Sequence, residues 1–109
     1  MKYVLDRARP YESRCQTFRM SPAEAVIFFQ TAQVISNPAQ FRQLAKPAAC
    51  YYQGIIQTHG NMLQWRITAA GVGYLTYGPG NPNNRQLLCG TACHQQFGER
   101  LDVYPIDSK

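Results

Sequence analysis

Acidic side chains and histidines are scarce in this sequence. Six Asp and Glu stand against eleven Lys and Arg, for a formal net charge of +5, and there are two His. General acid–base chemistry needs titratable groups that converge on one site, and none of these carboxylates or histidines belongs to a motif of that kind. We therefore predict that the chain is not an enzyme and that it binds no metal and no cofactor.

Long apolar runs are missing as well. No stretch has the roughly 20 apolar residues that a membrane-spanning helix requires. The start, from Met1 to Asp6, lacks the apolar core of a signal peptide. Either the protein is cytoplasmic, with Met1 as its native start, or a signal peptide has been removed. The cysteines favour the second interpretation, a periplasmic or secreted protein, because disulfides persist in those compartments.

What the chain does contain fits one α+β domain. Its length suits a single domain, and 45% apolar against 16% charged residues is a globular composition. We predict one domain over residues 1–109, with a basic arm over 1–20, helices over 21–46 and an antiparallel sheet over 47–105. The arm is rich in Lys and Arg, which suits nucleic acid, an anionic membrane surface, an acidic protein partner or simply a solvated face.

Four cysteines predict two disulfides. Cys89 and Cys93 are four residues apart, so one helical turn would bring their Cα atoms to about 6 Å, which a disulfide can span. That leaves Cys15 to pair with Cys50, a bridge that would tie the arm to the first strand after the helices. Closing so long a loop could contribute about 3–4 kcal/mol to stability.

Three other uses of the cysteines stay open. Some or all could be free buried thiols. Cys89, Cys93 and His94 could ligate zinc, although a second convincing pair of ligands is missing. The same run is similar to a c-type haem attachment motif with one extra residue between the cysteines, but the strands predicted before it do not suit the mostly helical cytochromes.

Two helix starts are visible in the sequence. Ser21 and Glu24 bracket a capping box with Pro at the first helical position, and this predicts the main helix over 22–33. Asn37 before Pro38 is a second helix start of the same kind, with an N-cap residue followed by Pro. It predicts a short second helix that extends to Leu44. The core face of the main helix is expected to comprise Ala25, Val26, Ile27, Phe28 and Phe29.

After Pro47, short β-type runs alternate with turn residues. Leu63, Trp65 and Ile67 alternate with polar residues, as in an antiparallel strand with one buried and one solvated face. We expect the main helix to pack on a meander of three to four antiparallel strands. The expected strands cover 50–57, 62–68, 72–77 and 85–89, with a short helix over 91–97 and a last edge strand over 101–104.

Binding chemistry is better supplied than catalytic chemistry. The chain has seven Tyr, and eight of its eleven basic residues are Arg. Tyr with Arg is typical of protein interfaces. Tyr rings can also cover the hydrophobic core with their hydroxyls in water and have no partner to bind. We predict that the solvated sheet face and the polar loop over 78–84 bind the partner. The candidate residues are Tyr51, Arg66, Tyr74, Tyr77, Asn81 and Arg85.

The order of these elements resembles small cysteine-stapled bacterial exported proteins. The resemblance covers most of the chain and involves Cys15–Phe18, Ser21–Glu24 before Phe28 and Phe29, Cys50 and Gly54, Trp65–Ile67, the break at Gly71–Gly73, and Cys89 with Cys93. Such proteins include periplasmic proteins of unknown role and immunity proteins that neutralise toxins. The resemblance implies a non-enzymatic protein-binding role. Immunity proteins against nucleases are usually acidic, so for this basic chain an acidic protein partner is expected instead.

Two other functions compete with protein binding. A module for single-stranded nucleic acid would use the basic arm and surface Tyr and Arg, with bases stacked on the rings. A small hydrolase would use a free Cys15 as nucleophile and His59 as its base. Against the hydrolase, Cys15 lies six residues before the helix cap at Ser21, outside the reach of the helix dipole. No sequence feature suggests an oligomeric state.

Overall fold

The computed structural model describes residues 1–9, 12–58 and 60–106. Its helices pack on a six-stranded antiparallel sheet. The predicted α+β class is confirmed. The strands are β1 (Lys2–Leu5), β2 (Gln33–Val34), β3 (Cys50–Thr58), β4 (Asn61–Thr68), β5 (Val72–Thr76) and β6 (Arg85–Leu88). The helices are α1 (Ser13–Thr17), α2 (Pro22–Thr31), α3 (Pro38–Leu44) and α4 (Thr91–Phe97), followed by a 3-10 turn at Gly98–Arg100.

The strand order is β1-β3-β4-β5-β6-β2, so the sheet is wider than the three to four strands predicted. The four central strands form the predicted meander. The two outer strands come from earlier in the chain and were not predicted, because β1 lies in a run of mixed polarity and β2 has only two residues. The edge strand expected over 101–104 is wrong, because β2 already occupies the outer edge of β6.

The main helix, α2, begins as its sequence predicts. The Ser21 hydroxyl accepts a hydrogen bond from the Glu24 N–H at 3.1 Å, and the Glu24 carboxylate accepts one from the Ser21 N–H at 3.0 Å. The helix ends two residues early, at Thr31, because the chain turns into β2. Its predicted core face is only partly right: Phe28 is fully buried, whereas Val26 is 51% exposed.

The capping carboxylate gives a pH-dependent prediction. The hydrogen bond from the Ser21 N–H, and then Arg100 at 2.6 Å, hold the pKa of Glu24 below its ordinary value of 4.5. The charged form therefore stabilises the folded state above about pH 4.5, and this contribution is lost as pH falls through the lower folded-state pKa. Glu24→Gln should be less stable than wild type at neutral pH, and the gap should close in acid.

Urea denaturation of both proteins, from neutral pH down to about pH 3, measures this gap. Because Glu24 and Arg100 are partly exposed, the gap should be modest and should shrink with added salt. A difference in the unfolding midpoint that stays constant across the whole range would contradict the prediction.

Apolar side chains pack on both faces of the sheet, but they cover the two faces unequally. On one face α1, α2 and α4 enclose a large core that includes Phe18, Phe28, Trp65, Ile67, Leu87 and Phe97. On the other face α3 and the C-terminal segment enclose a smaller core made of Ile35, Phe41, Ala70, Val72, Leu88 and Tyr104. The second core reaches only β5, β6 and β2, so no helix of the described residues covers the same face of β1, β3 and β4.

Two close approaches bring α2 and Trp65 down onto the sheet. An ideal Cβ on Gly73 would lie 2.4 Å from the Phe28 ring, and one on Gly54 would lie 2.7 Å from the Trp65 indole. Neither glycine has room for a side chain, so both rings pack directly on strand backbone.

The arm is held to the domain by a disulfide and by ion pairs. Cys15 is bonded to Cys50, with Cα atoms 5.8 Å apart, which confirms the predicted pairing. Arg14 bonds the Asp102 carboxylate at 2.6 Å and also pairs with Glu12, whose other oxygen accepts the Ala49 N–H at 2.6 Å. Part of the positive charge that the arm was predicted to offer a partner is thus neutralised within the protein.

The second predicted bridge, Cys89–Cys93, is confirmed with a Cα separation of 5.1 Å. All four sulfurs are therefore in disulfides, and neither member of this pair is a thiolate that could join His94 on zinc. Within the described ranges no three His, Cys, Asp or Glu side chains are grouped as metal ligands.

Candidate binding surface on the open sheet face

The side of β1, β3, β4 and β5 opposite α2 forms a surface that we call the open face. Strand register aligns one row of side chains across it. Lys2 is opposite Gln53, Gln53 is opposite Arg66, and Arg66 is opposite Tyr74. Because side chains alternate between the two faces of each strand, these four share the open side. The burial pattern of β4 agrees, since Trp65 is buried and Arg66 is exposed.

Arg66 is the central side chain of this row. Its guanidinium carbon lies 4.1 Å from the centroid of the Tyr51 ring, a stacking distance at which the cation–π attraction is about 0.5–1 kcal/mol at an exposed site. No described carboxylate lies within salt-bridge distance of Arg66. Stacking fixes the direction of the guanidinium, and most of its N–H donors remain available to a partner.

Tyr74 marks the border between the open face and the smaller core. Its ring packs edge-on against Phe41, with centroids 5.7 Å apart. Burial raises the pKa of Tyr74, and the nearby charge of Arg66 opposes this shift. The hydroxyl therefore keeps its proton at neutral pH and can donate a hydrogen bond at the edge of the surface.

A groove of about 710 Å³ runs along the open face. Its lining combines main chain, amides, two cations and apolar groups. The residues are Met1, Lys2, Gln53, Gly54, Ile55, Gln64, Trp65, Arg66, Tyr74 and Thr76. Ile55 is 59% exposed, and its diagonal neighbour Met62 is 61% exposed. The groove thus offers both apolar contact and hydrogen-bonding groups.

β3 and β4 extend beyond their neighbours. Pairing with β1 stops at Gln53, and pairing with β5 stops at Gln64. Residues 54–58 of β3 and 61–63 of β4 therefore have a strand partner on one side only within the described structure. We call these two segments the overhang. It projects from one end of the groove and carries Ile55 and Met62 on the open side.

The charge that remains after internal pairing is positive. Arg9 pairs with Asp6, Arg14 with Glu12 and Asp102, and Arg100 with Glu24. Among the described carboxylates, only the exposed Glu99 lacks an ion pair. The described cations without one are Lys2, Arg7, Arg19, Arg42, Lys46, Arg66 and Arg85. Of these, Lys2 and Arg66 lie at the groove.

The structure brings together three of the six predicted binding residues: Tyr51, Arg66 and Tyr74. Tyr77 is exposed just past the end of β5, and its N–H donates to the Asn84 side chain at 2.7 Å. Arg85 is opposite Leu75 and therefore on the α2 side of the sheet.

Two of the six predicted binding residues, Arg85 and Asn81, form hydrogen bonds within their own loop. Arg85 donates to the carbonyls of Pro82 and Asn84, each at 3.1 Å. The side chain of Asn81 accepts the N–H of Asn83 at 2.8 Å. The loop is therefore organised by internal hydrogen bonds.

The sequence prediction did not include Lys2, Gln53, Ile55 or Met62. Alternation along β3 contained a signal for Gln53 and Ile55, because both share the parity of Tyr51. Lys2 had no such signal, since it joins the surface only through the unpredicted strand β1.

The proposed nucleophile of the hydrolase hypothesis is not a free thiol. Cys15 is buried in its disulfide, and His59 lies outside the described residues. His94, next to the second disulfide, has a buried Nδ1 without a hydrogen-bond partner in the described part of the chain.

Comparison with protein-family models, curated proteins and solved structures finds no match for this chain. Among the described helices, none is long and apolar enough to cross a bilayer.

Proposed function

We propose that this protein is a non-enzymatic bacterial binding domain that recognises an acidic protein through its open face. Its working place would be the periplasm or the outside of the cell, where both disulfides persist. In the narrower version of the proposal it is an immunity protein that neutralises a toxin. The observation that carries the proposal is Arg66, which is stacked on Tyr51 in a groove and has no described carboxylate partner.

A protein partner fits this surface better than other partners do. Interface centres are rich in Tyr and Arg, with apolar anchors beside them. The open face has this composition: Arg66 and Tyr74 line the groove together with the exposed Ile55, and Tyr51 stacks on Arg66. The exposed Met62 lies diagonally across from Ile55. An acidic residue of a partner that reached Arg66 would form a charge-assisted hydrogen bond with its guanidinium.

Single-stranded nucleic acid is the second candidate, and the described cations without ion pairs favour it. Nucleic-acid binding requires several cations along the phosphate backbone. Among the described side chains at the groove, only Lys2 and Arg66 are cationic, and one face of the Tyr51 ring is covered by Arg66 instead of being open to a base. If this candidate is right, affinity for an oligothymidylate should fall steeply with salt.

Replacing Arg66 tests the proposal directly. Arg66→Ala should weaken partner binding by about tenfold or more, because it removes the central cation of the surface. The measurement is affinity capture from the native host at physiological salt, followed by titration of the captured protein. Arg42→Ala is the matched control: Arg42 is an exposed cation on α3, outside the groove, and should bind like wild type.

Three results would count against the proposal. Capture of no partner at physiological salt would oppose protein binding altogether. Equal loss in the Arg66 and Arg42 variants would mean that net charge, and not the open face, drives association. Tight, strongly salt-dependent binding to the oligothymidylate would favour the nucleic-acid alternative.

A further inference from the structure

The outer edge of β3 has main-chain groups that no described strand uses. The Asp6 N–H donates to the Ala49 carbonyl at 2.6 Å, and the Ala69 N–H donates to the Cys50 carbonyl at 3.2 Å. Ala49 therefore faces β1, and Cys50 faces β4. Because main-chain groups alternate between the two edges of a strand, every second residue from 49 onward faces the β1 side.

Ile55 and Gln57 belong to this outward-facing set. Since β1 pairs no further than Gln53, their N–H and C=O groups have no strand partner in the ranges that the structure describes. Unpaired strand edges in natural proteins are usually protected by charge, proline or a bulge. The overhanging part of β3, Gly54-Ile55-Ile56-Gln57-Thr58, contains no charged residue and no proline.

The side chains around this edge differ between the two sides of the sheet. On the open side the neighbours are the exposed Ile55 and the cation of Lys2, which is two positions further along the same edge. On the opposite side the neighbours are Ile56, which is 37% exposed, and its cross-strand partner Leu63, which is buried. One side of an added strand would thus meet a cation, and the other side would meet apolar carbons.

We propose that the acidic partner adds an extended segment as a further strand along Ile55–Gln57, in line with β1. This inference rests on the proposed function and specifies how the partner binds. Main-chain hydrogen bonds would give such a strand its affinity, and alternate side chains its specificity. Acidic side chains on the open side would reach Lys2 and approach Arg66, while apolar side chains on the other side would cover Ile56.

A second copy of this chain is the competing occupant of the edge. Two β3 edges could pair in principle, but Lys2 flanks the edge in each copy and every chain has a net charge of +5. Repulsion between like charges disfavours that arrangement, and an acidic segment removes the repulsion. Charge complementarity therefore selects the acidic strand over the second copy.

The test uses an eight-residue peptide of alternating Glu and Val, with both ends blocked, at a concentration where it is monomeric. Amide NMR and hydrogen exchange should show protection of the Ile55 and Gln57 N–H groups. Gln57→Pro removes one outward donor at an edge position that tolerates proline, and it should weaken binding by about tenfold. A second peptide is N-methylated at alternate residues. The affinity of wild type for this peptide should be no higher than the affinity of Gln57→Pro for the intact peptide.

A charge swap provides a control that does not depend on proline. Lys2→Glu should lose affinity for the Glu–Val peptide and gain affinity for a Lys–Val peptide of the same length. Arg42→Glu should change neither. The inference is overturned if the peptide shifts amides elsewhere, if Gln57→Pro and Lys2→Glu bind it as wild type does, or if sedimentation shows a wild-type dimer that Gln57→Pro abolishes.

The two proposals fail differently. Arg66-dependent capture of a native acidic protein, with no peptide binding and no effect of Gln57→Pro, would contradict strand addition and leave the proposed function standing. Peptide binding at the edge, with no protein captured from the host, would contradict the proposed function, because the edge would then be only a generic strand acceptor.

Discussion

Replacing Cys15 and Cys50 together by Ala should lower the free energy of unfolding by about 4 kcal/mol, and replacing Cys89 and Cys93 by only about 2 kcal/mol. The two bridges close loops of very different length, with sequence separations of 35 and 4 residues. A bridge between distant residues restricts the unfolded chain more, so its removal releases more conformational entropy.

The comparison is well matched because all four cysteines are buried. Packing lost on substitution by Ala is therefore similar in the two variants, and the difference between them reports mainly the length of the loop. Urea titration of wild type and both double variants, with linear extrapolation, measures the difference. Equal losses, or a larger loss from Cys89 and Cys93, would mean that native-state packing and not the unfolded chain sets the effect.

Phe28→Ala should be about as damaging as loss of the Cys15–Cys50 bridge, with a cost of about 3–5 kcal/mol, because it empties the centre of the larger core. Phe28 is fully buried and contacts Phe29 and Phe97, at centroid distances of 5.3 Å and 6.2 Å. Its ring also touches the backbone at Gly73, where an ideal Cβ would lie only 2.4 Å away.

That close approach predicts a strong coupling between the two positions. In the wild-type background Gly73→Ala should cost about 1–3 kcal/mol, because the new methyl group forces the Phe28 ring to move. In the Phe28→Ala background the same methyl group enters the empty space and keeps only the Phe29 ring, at 3.3 Å, as a tight neighbour, so most of the cost should vanish. Gly78→Ala, where a Cβ would meet nothing within 4 Å, is the control and should be close to neutral in both backgrounds. Additive costs would refute the contact.

The parts of the fold that could be predicted from the sequence are those specified by local chemistry. The capping box at Ser21, the Asn37–Pro38 start of α3 and the alternation around Trp65 each fix an element through neighbours in the chain. The disulfide pairing also followed from spacing, because only Cys89 and Cys93 are close enough to form a local bridge.

The parts that were missed depend on distant partners. β1 and β2 are strands only because β3 and β6 provide edges for them. The exposure of Val26 could not be predicted from helical spacing, since it depends on how α2 rotates when Phe28 packs against Gly73. Short segments of this kind have too weak a pattern of their own to identify them.

The candidate site also has a part that could be predicted from the sequence and a part that could not. Tyr51, Arg66 and Tyr74 were predicted because alternation on long strands shows which side chains share the solvated face. Register then decided which candidates meet: it brought Gln53 and Lys2 to Arg66 and placed Arg85 on the other side of the sheet. Residue types indicated the chemistry of the surface. Its boundaries could be defined only from the pairing of β1, β3, β4 and β5.

The position of the outer strands has a consequence for the order in which the sheet can form during synthesis. β1 and β2 lie at residues 2–5 and 33–34, whereas the strands that receive them begin at Cys50 and Arg85. A chain that is made from its N-terminus exposes both outer segments before either partner exists, and Cys15 must wait for Cys50. During that interval the first half of the chain has an unpaired cysteine at position 15 and two strand segments without their partners.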